Sequence, residues 1–210
     1  MKTLPISVPH SVAQHYHRDA RDFAGRFDIL WENQLHKTGR IKSFVDLVMG
    51  CECALKCHIF LGQIQQDPEI TYKSIRRAGH RVDELSKLAD FMHDKTIYDL
   101  FGTALAPFSV FVRYSLDAYS TFFPALTDRS NAPINYTETI GNNQWVLGLR
   151  KHLDLLIQEA SPEFTGIVNS DIEALFEHEE HMAAFMQKVA PNNSFKPTPH
   201  RGVGHVPALR

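Results

Sequence analysis

One segment, residues 41–61 (IKSFVDLVMGCECALKCHIFL), constrains the fold of this chain more than any other. Its apolar residues follow the three-and-four spacing of a helical face, and further apolar residues occupy most of the remaining positions. A helix that is apolar on most sides is buried, so the segment predicts the central helix of a bundle. Glu52 and Lys56 stand one turn apart and are expected to pair on its narrow polar face. The predicted buried face consists of Phe44, Leu47, Val48, Cys51, Ala54, Leu55, His58 and Ile59.

The three cysteines, Cys51, Cys53 and Cys57, all lie in this central helix. Their odd number and close spacing do not suit a disulfide framework. A metal site with His58 alongside is an alternative, but the spacing CxCxxxC matches no zinc pattern. We expect the three cysteines to be small core residues.

The overall composition is that of an ordinary soluble globular protein. The 210 residues are 43% hydrophobic and carry a formal charge of -2, so no global field attracts the chain to nucleic acid or to a membrane. Any such binding has to come from a local patch. The sequence shows neither a secretory leader pattern nor a run of about 18 apolar residues. We therefore expect a cytoplasmic protein that does not enter a membrane.

The rest of the chain predicts a helical fold with six or seven helices and no convincing sheet. Residues 109–123 are rich in β-branched and aromatic side chains, so a strand-like or turn-rich connection competes there with a helix. Residues 124–143 are rich in Pro, Asn, Thr, Asp and Gly and predict the longest loop. The predicted helices cover residues 11–36, 41–66, 70–78, 82–92, 97–108, 145–161 and 170–189.

The last predicted helix closes a domain of residues 1–190. Ser170 and Glu173 fit a capping box at its start. Residues 191–210 have no helical period and predict a disordered tail, whose basic residues are either solvated or in contact with an acidic partner. Within this tail, residues 193–202 (NSFKPTPHRG) resemble the C-termini of proteins encoded in integron gene cassettes. The residues of the last helix expected to face inward are Ile172, Leu175, Phe176, Met182, Ala183, Met186 and Val189.

Two motifs resemble the HEPN family of helical domains. Residues 52–56 (ECALK) and 79–88 (GHRVDELSKL) are similar to the family pattern E-x-x-L-K … G-H-x-L-x-x-L, and Arg113 and Tyr114 are similar to its Arg-Tyr. The resemblance covers residues 41–120. It implies an all-α, antiparallel helical bundle, here with extra C-terminal helices. It also implies a homodimer from a toxin–antitoxin or phage-defence setting, and the resemblance of the tail adds a mobile element as a third setting.

Many HEPN proteins are metal-independent ribonucleases with an Arg-x(4-6)-His motif, and this chain lacks that motif. Arg113 and Tyr119 have the spacing, but a phenol with a reference pKa of about 10 does not exchange protons readily near neutral pH. Arg76 or Arg77 with His80 has the residue types but a shorter gap. The catalytic residues are therefore unknown, and the candidates are Arg113, Tyr119 and His80.

The same residues have structural interpretations. Arg113 can bind a phosphate, or it can cap a helix or pair with Asp117. We expect His80 to be a helix-start residue that bonds to backbone groups.

Arg76, Arg77 and Arg81 form the densest basic cluster and are the candidates for nucleic-acid binding. Tyr72 is close enough in sequence to stack on a base. Two acidic residues, Asp83 and Glu84, follow the cluster and reduce the net positive charge of this part of the chain.

A metal site is predicted to be absent, although three side chains of the last helix have suitable chemistry. Glu173, Glu177 and His181 follow one another at one-turn intervals and can hold a divalent cation, with His152 of the preceding helix as a further ligand. A solvated polar face is the alternative. We predict no cofactor.

These observations lead to one main functional interpretation and two alternatives. The main one is a non-enzymatic HEPN-like module that binds RNA, a nucleotide or an antitoxin-like protein. The alternatives are a metal-independent ribonuclease with a diverged active site and a metal-dependent hydrolase.

Overall fold

A computed structural model describes residues 3–33, 36–108, 110–123, 134–167 and 171–190. These residues form helices without any strand, apart from one isolated bridge between Thr3 and Ile167, so the all-α prediction is confirmed. The α-helices are α1 (Val8–Asn33), α2 (Lys37–Gly62), α3 (Pro68–Ala78), α4 (Val82–Leu88), α5 (Thr96–Leu105), α6 (Ser115–Phe122), α7 (Asn143–Ala160) and α8 (Ile172–Val189). Two 3₁₀ turns cover Val110–Arg113 and Ser161–Phe164.

Helix α2 is the centre of the bundle, as its sequence predicts. Nineteen of its 26 residues are buried, which is possible only because neighbours cover it on nearly all sides. Helix α1 packs along it, and α4, α7 and the first 3₁₀ turn cover much of the remainder. Phe44 illustrates the packing, since its ring lies 5.0 Å from that of Phe108 and 5.7 Å from that of Trp145. The three cysteines are buried free thiols in this core, as expected.

Two local signals set the boundaries of α3. The Asp67 side chain accepts a hydrogen bond from the Glu69 N–H, and Pro68 occupies the first helical turn, where its missing N–H costs nothing. Gly79 ends the helix with φ 64, a conformation that side chains with a Cβ rarely adopt. Both signals are read correctly from the sequence.

The ambiguous segment after α5 is helical. Val110 and Val112 lie in the first 3₁₀ turn and Ala118 and Phe122 in α6, and all four are buried. Their burial against α2 explains why a β-branched run folds as helix here, because packing overrides a weak local preference. Residues 124–133 of the predicted loop and the whole tail after residue 190 lie outside the described residues.

Helix α8 differs from its prediction. Phe185 is buried, but Ile172, Phe176 and Met186 are 66%, 63% and 48% exposed instead of facing inward, and Ala183 is exposed too. The reason is that α8 packs mainly on α3 and α1, so only one narrow side of the helix is covered and its other apolar residues remain exposed. The observed N-cap is Asp171, whose side chain accepts from the Glu173 N–H, while Ser170 is outside the described residues.

A buried polar chain ties α2 to α5 and α7. The Nε2–H of His58 donates to the Leu156 carbonyl at 2.8 Å, so Nδ1 accepts from the Tyr98 hydroxyl at 2.6 Å. The Tyr98 oxygen in turn accepts from the Met92 N–H at 3.1 Å. His58 and Tyr98 are almost wholly buried, and the chain satisfies their polar groups.

Within the described ranges, no helix combines the length and the apolar character that crossing a bilayer requires.

Candidate functional site

Glu52 is a carboxylate that α2 carries into the interior. Its side chain is 2% exposed, and Lys56, one turn later, forms an ion pair with it as predicted. The Lys56 ammonium also lies 5.7 Å from the centroid of the Tyr16 ring. A buried carboxylate requires such partners because desolvation of an isolated charge is costly.

His80 reaches the same carboxylate from the turn between α3 and α4. Its Nδ1 lies 2.9 Å from one Glu52 oxygen and 3.1 Å from the other. Gly79, the C-cap of α3, has a positive φ that ends the helix and turns the chain so that the next residue, His80, points towards Glu52. The expectation that His80 bonds to backbone groups at a helix start is therefore corrected: its partner is a buried side chain 28 residues away, and α4 begins two residues later.

The contact with Glu52 fixes the orientation of the imidazole. Because the carboxylate accepts, Nδ1 donates, and in the neutral ring Nε2 then carries a lone pair. The His80 side chain is 56% exposed, and Nε2 has no hydrogen-bond partner among the described residues. A carboxylate-oriented imidazole open to solvent has the arrangement of a general base.

Three arginines surround this histidine in sequence, and we call Arg76, Arg77, His80 and Arg81 the α3–α4 basic turn. All four are exposed. Arg76 and Arg77 form no hydrogen bond or ion pair within the described chain, whereas the Arg81 Nε donates to the Ala78 carbonyl at 3.4 Å. The predicted basic cluster is thus a local, solvent-facing surface.

Two residues near the basic turn, Glu84 and Tyr72, have partners within the protein that bear on the predicted nucleic-acid surface. Glu84 pairs with Lys87 at 2.9 Å, and this pairing lowers the pKa of the Glu84 carboxyl. Tyr72 is half-buried, and its ring meets that of Phe185 edge-on at a centroid distance of 5.8 Å. Tyr72 is therefore not an open platform on which a base can stack.

The other two catalytic candidates cannot be related to this site. Arg113 ends the first 3₁₀ turn and Tyr119 lies in α6, but their side chains are outside the described part of the structure. The pairing of Arg113 with Asp117 lies outside it for the same reason.

The metal-ligand candidates come together only in part. Glu177 and His181 line one shallow cavity with His178, whose Nε2 lies 2.9 Å from the Ser11 hydroxyl, while Glu173 is exposed elsewhere on α8. The His152 Nδ1 bonds to the Gly148 carbonyl of its own helix. Among the residues described, no group of three His, Cys, Asp or Glu side chains is arranged to hold a metal ion.

Comparisons of this chain with protein-family models, with curated proteins and with solved structures find no match. The functional argument therefore depends on the geometry of the site. The sequence motifs contain both Glu52 and His80, but no sequence signal shows that the two side chains touch.

Proposed function

We propose that this chain is an RNA-binding helical module that holds RNA phosphates on the α3–α4 basic turn. The observation that carries the proposal is the pair Arg76 and Arg77, two exposed guanidinium groups with no partner in the described structure. They stand beside a histidine that a buried carboxylate holds in place. Guanidinium groups that are not engaged by carboxylates donate well to phosphate oxygens.

The charge distribution supports binding at a local patch. With a net charge of -2, the whole chain does not attract a polyanion, so affinity has to come from the few cations at the site. Each arginine that contacts a phosphate releases counterions, which makes the affinity depend steeply on salt.

The proposal includes the finer architecture that the HEPN resemblance implies. Residues 52–56 and 79–88 carry the two motifs, and the Glu52–His80 hydrogen bond joins them in space. This contact supports reading the motifs as one structural unit. An antiparallel bundle, a homodimer, a cytoplasmic setting in a mobile element or defence system and an antitoxin-like partner belong to the same proposal.

Fluorescence anisotropy with a labelled single-stranded RNA tests the proposal. The Arg76→Ala/Arg77→Ala variant is expected to bind about tenfold more weakly near 0.1 M salt, and its salt slope is expected to be smaller by about 1.4, because two contacts to the phosphates of a single strand are lost. The matched control is Lys42→Ala/Lys151→Ala, which removes the same charge at two exposed lysines outside the turn. Equal affinities and slopes for the two double variants would contradict the proposal.

A second candidate function, a metal-independent ribonuclease, is favoured by the Glu52–His80 pair. In this reaction His80 Nε2 takes the proton of a 2′-hydroxyl, and the 2′-oxygen attacks phosphorus. The 5′-oxygen then leaves with a proton from solvent, giving a 2′,3′-cyclic phosphate and a 5′-hydroxyl.

Incubation of pooled RNA with the protein in EDTA separates the two functions. If the chain is a ribonuclease, cyclic-phosphate products are expected to form, and they are expected to disappear in the His80→Gln variant. In the Glu52→Gln variant they are expected to decrease strongly, because no carboxylate then orients the His80 imidazole. Intact RNA that is still bound assigns the chain to binding alone.

A further inference from the structure

A polar cavity lies between α1 and the 3₁₀ turn that follows α7. Its volume is about 210 Å³, and it shares no residue with the α3–α4 basic turn. The sequence does not predict it, because the cavity exists only where the second 3₁₀ turn folds back onto α1. Residues of its lining include Gln14, His17, Arg18 and Arg21 from α1 and Phe164 and Thr165 from the turn and its end.

The cavity contains positive charge that its own lining does not neutralise. Arg18 and Arg21 are three residues apart, so both project from one side of α1. Neither they nor Gln14 make a hydrogen bond or an ion pair with any residue in the described ranges, and no carboxylate lines the cavity. The lining therefore offers two guanidinium groups and one amide to a ligand.

His17 forms a buried polar wall of the same cavity. It is 7% exposed, and its Nε2–H donates to the Ile157 carbonyl at 3.1 Å and also lies 3.2 Å from the Ser161 oxygen, whose hydroxyl donates to the same carbonyl. Because a carbonyl only accepts, the neutral ring has its lone pair on Nδ1, which has no partner among the residues described. Burial lowers the pKa of His17, with Arg21 contributing, and this favours the neutral ring. Phe164 packs against the imidazole at a centroid distance of 4.9 Å.

We propose that this cavity binds a small phosphate monoester. Arg18 and Arg21 hold the phosphate dianion, Gln14 donates to a further oxygen, and His17 Nδ1 accepts from a hydroxyl of the organic part. Two cations match the charge of a dianion, and several donors suit a group with three terminal oxygens. The volume lies below the roughly 300–1,000 Å³ of pockets for drug-sized ligands, so a short phosphorylated polyol fits better than a nucleotide.

Isothermal titration calorimetry with three probes at constant ionic strength tests the ligand class. The probes are glycerol phosphate, inorganic phosphate and succinate. We expect saturable binding of glycerol phosphate with a Kd of about 1 mM or below, weaker binding of inorganic phosphate, and no binding of succinate. Succinate binding as tightly as glycerol phosphate would overturn the assignment to phosphate.

Two charge-matched double variants locate the site and separate this proposal from the RNA proposal. Arg18→Ala/Arg21→Ala is expected to weaken glycerol phosphate binding at least about tenfold, whereas Arg76→Ala/Arg77→Ala leaves it unchanged. All four arginines are exposed, so both variants are expected to keep the far-UV circular dichroism of the parent protein. The reverse pattern would place the phosphate on the α3–α4 basic turn and would overturn the cavity proposal.

A nuclear magnetic resonance experiment gives a readout at the cavity itself. On addition of glycerol phosphate, the imidazole nitrogen resonances of His17 are expected to shift with the same Kd as the calorimetry. The resonances of His58, which bonds only inside the core, are expected to stay unchanged. A silent His17 would show that the ligand binds elsewhere.

Discussion

His58 shows how a single buried side chain makes the stability of this protein depend on pH. It is wholly buried, and desolvation lowers its pKa to about 4, outweighing the opposite effect of its hydrogen bond to Leu156. The reference pKa of 6.5 applies to the unfolded chain. Between these two values the unfolded state binds more protons, so the contribution of His58 is complete above pH 6.5 and is lost as the pH falls towards 4.

We therefore expect acid to destabilise the protein partly through His58. The expected loss between pH 7 and pH 5 is about 2 kcal/mol of unfolding free energy from this residue. Urea unfolding at both pH values measures it, and His58→Gln, which cannot titrate, is expected to show a loss smaller by that amount. His17 and His178 also have lowered pKa values and contribute to both proteins alike. Parallel pH dependences of parent and variant would refute this assignment.

The three cysteines lead to a prediction about reactivity. Burial raises the pKa of the Cys51, Cys53 and Cys57 thiols, and a thiol that is neither ionised nor accessible is a poor nucleophile. Titration with a thiol reagent such as DTNB is expected to find almost no reaction in the native protein and reaction of all three thiols in denaturant. Rapid labelling of any one of them without denaturant would show that the core around α2 opens locally.

At the scale of secondary structure elements, the sequence predicts correctly that α2 is buried. It does not predict which helices have neighbours packed on their apolar faces. The enclosure of α2, the Asp67 cap and the end of α3 at Gly79 follow from periodicity and local chemistry. The apolar stripe of α8 is equally visible in the sequence, but Ile172 and Phe176 are exposed because few elements pack on that helix. Periodicity identifies an apolar face without showing which neighbour covers it.

The same limit applies to both proposed sites. The sequence identifies Glu52, His80 and the arginines near His80 as candidates, yet the Glu52–His80 contact depends on how the α3–α4 turn folds onto α2. Nothing in the sequence indicates the cavity at His17, since its walls come from segments far apart in the chain. Long-range packing creates the chemistry in both cases.

Two glycines in helices predict opposite effects of the same substitution. A Cβ on Gly62 would lie 2.7 Å from the Asp90 carbonyl carbon, and backbone at this junction cannot yield without moving the chain. Gly62→Ala is therefore expected to cost about 1–3 kcal/mol. A Cβ on Gly148, inside α7, would meet no atom within 4 Å, so Gly148→Ala is expected to add about 0.5–1 kcal/mol through helix propensity.

Chemical denaturation of the two variants checks this comparison. The midpoint of Gly62→Ala is expected to fall and that of Gly148→Ala to rise, with unchanged slopes. A gain in stability for Gly62→Ala would mean that the end of α2 does not contact the segment before α5 as described.

For the molecule as a whole, the distribution of charge links stability to the proposed function. Most charged side chains of the described residues are exposed, whereas Glu52 lies in the core with Lys56 as its cationic partner and His80 as its link to the α3–α4 basic turn. The proposed binding surface is thus attached directly to the centre of the bundle. A movement of Glu52 in the core is expected to displace the His80 side chain more than any other exposed residue of the turn.

This placement predicts an asymmetry between the two partners of the buried ion pair. Lys56→Met leaves a carboxylate that is 2% exposed without its lysine, and we expect a cost of about 3 kcal/mol. Glu52→Gln leaves an ammonium that is 13% exposed and on a flexible stem, so it can turn towards water and the cost is expected to be about 1 kcal/mol. The double variant Glu52→Gln/Lys56→Met removes both charges and is expected to be more stable than Lys56→Met alone. Urea unfolding at pH 7 measures all four proteins, and a double variant that loses the sum of the two single effects would show that the two charges are not coupled.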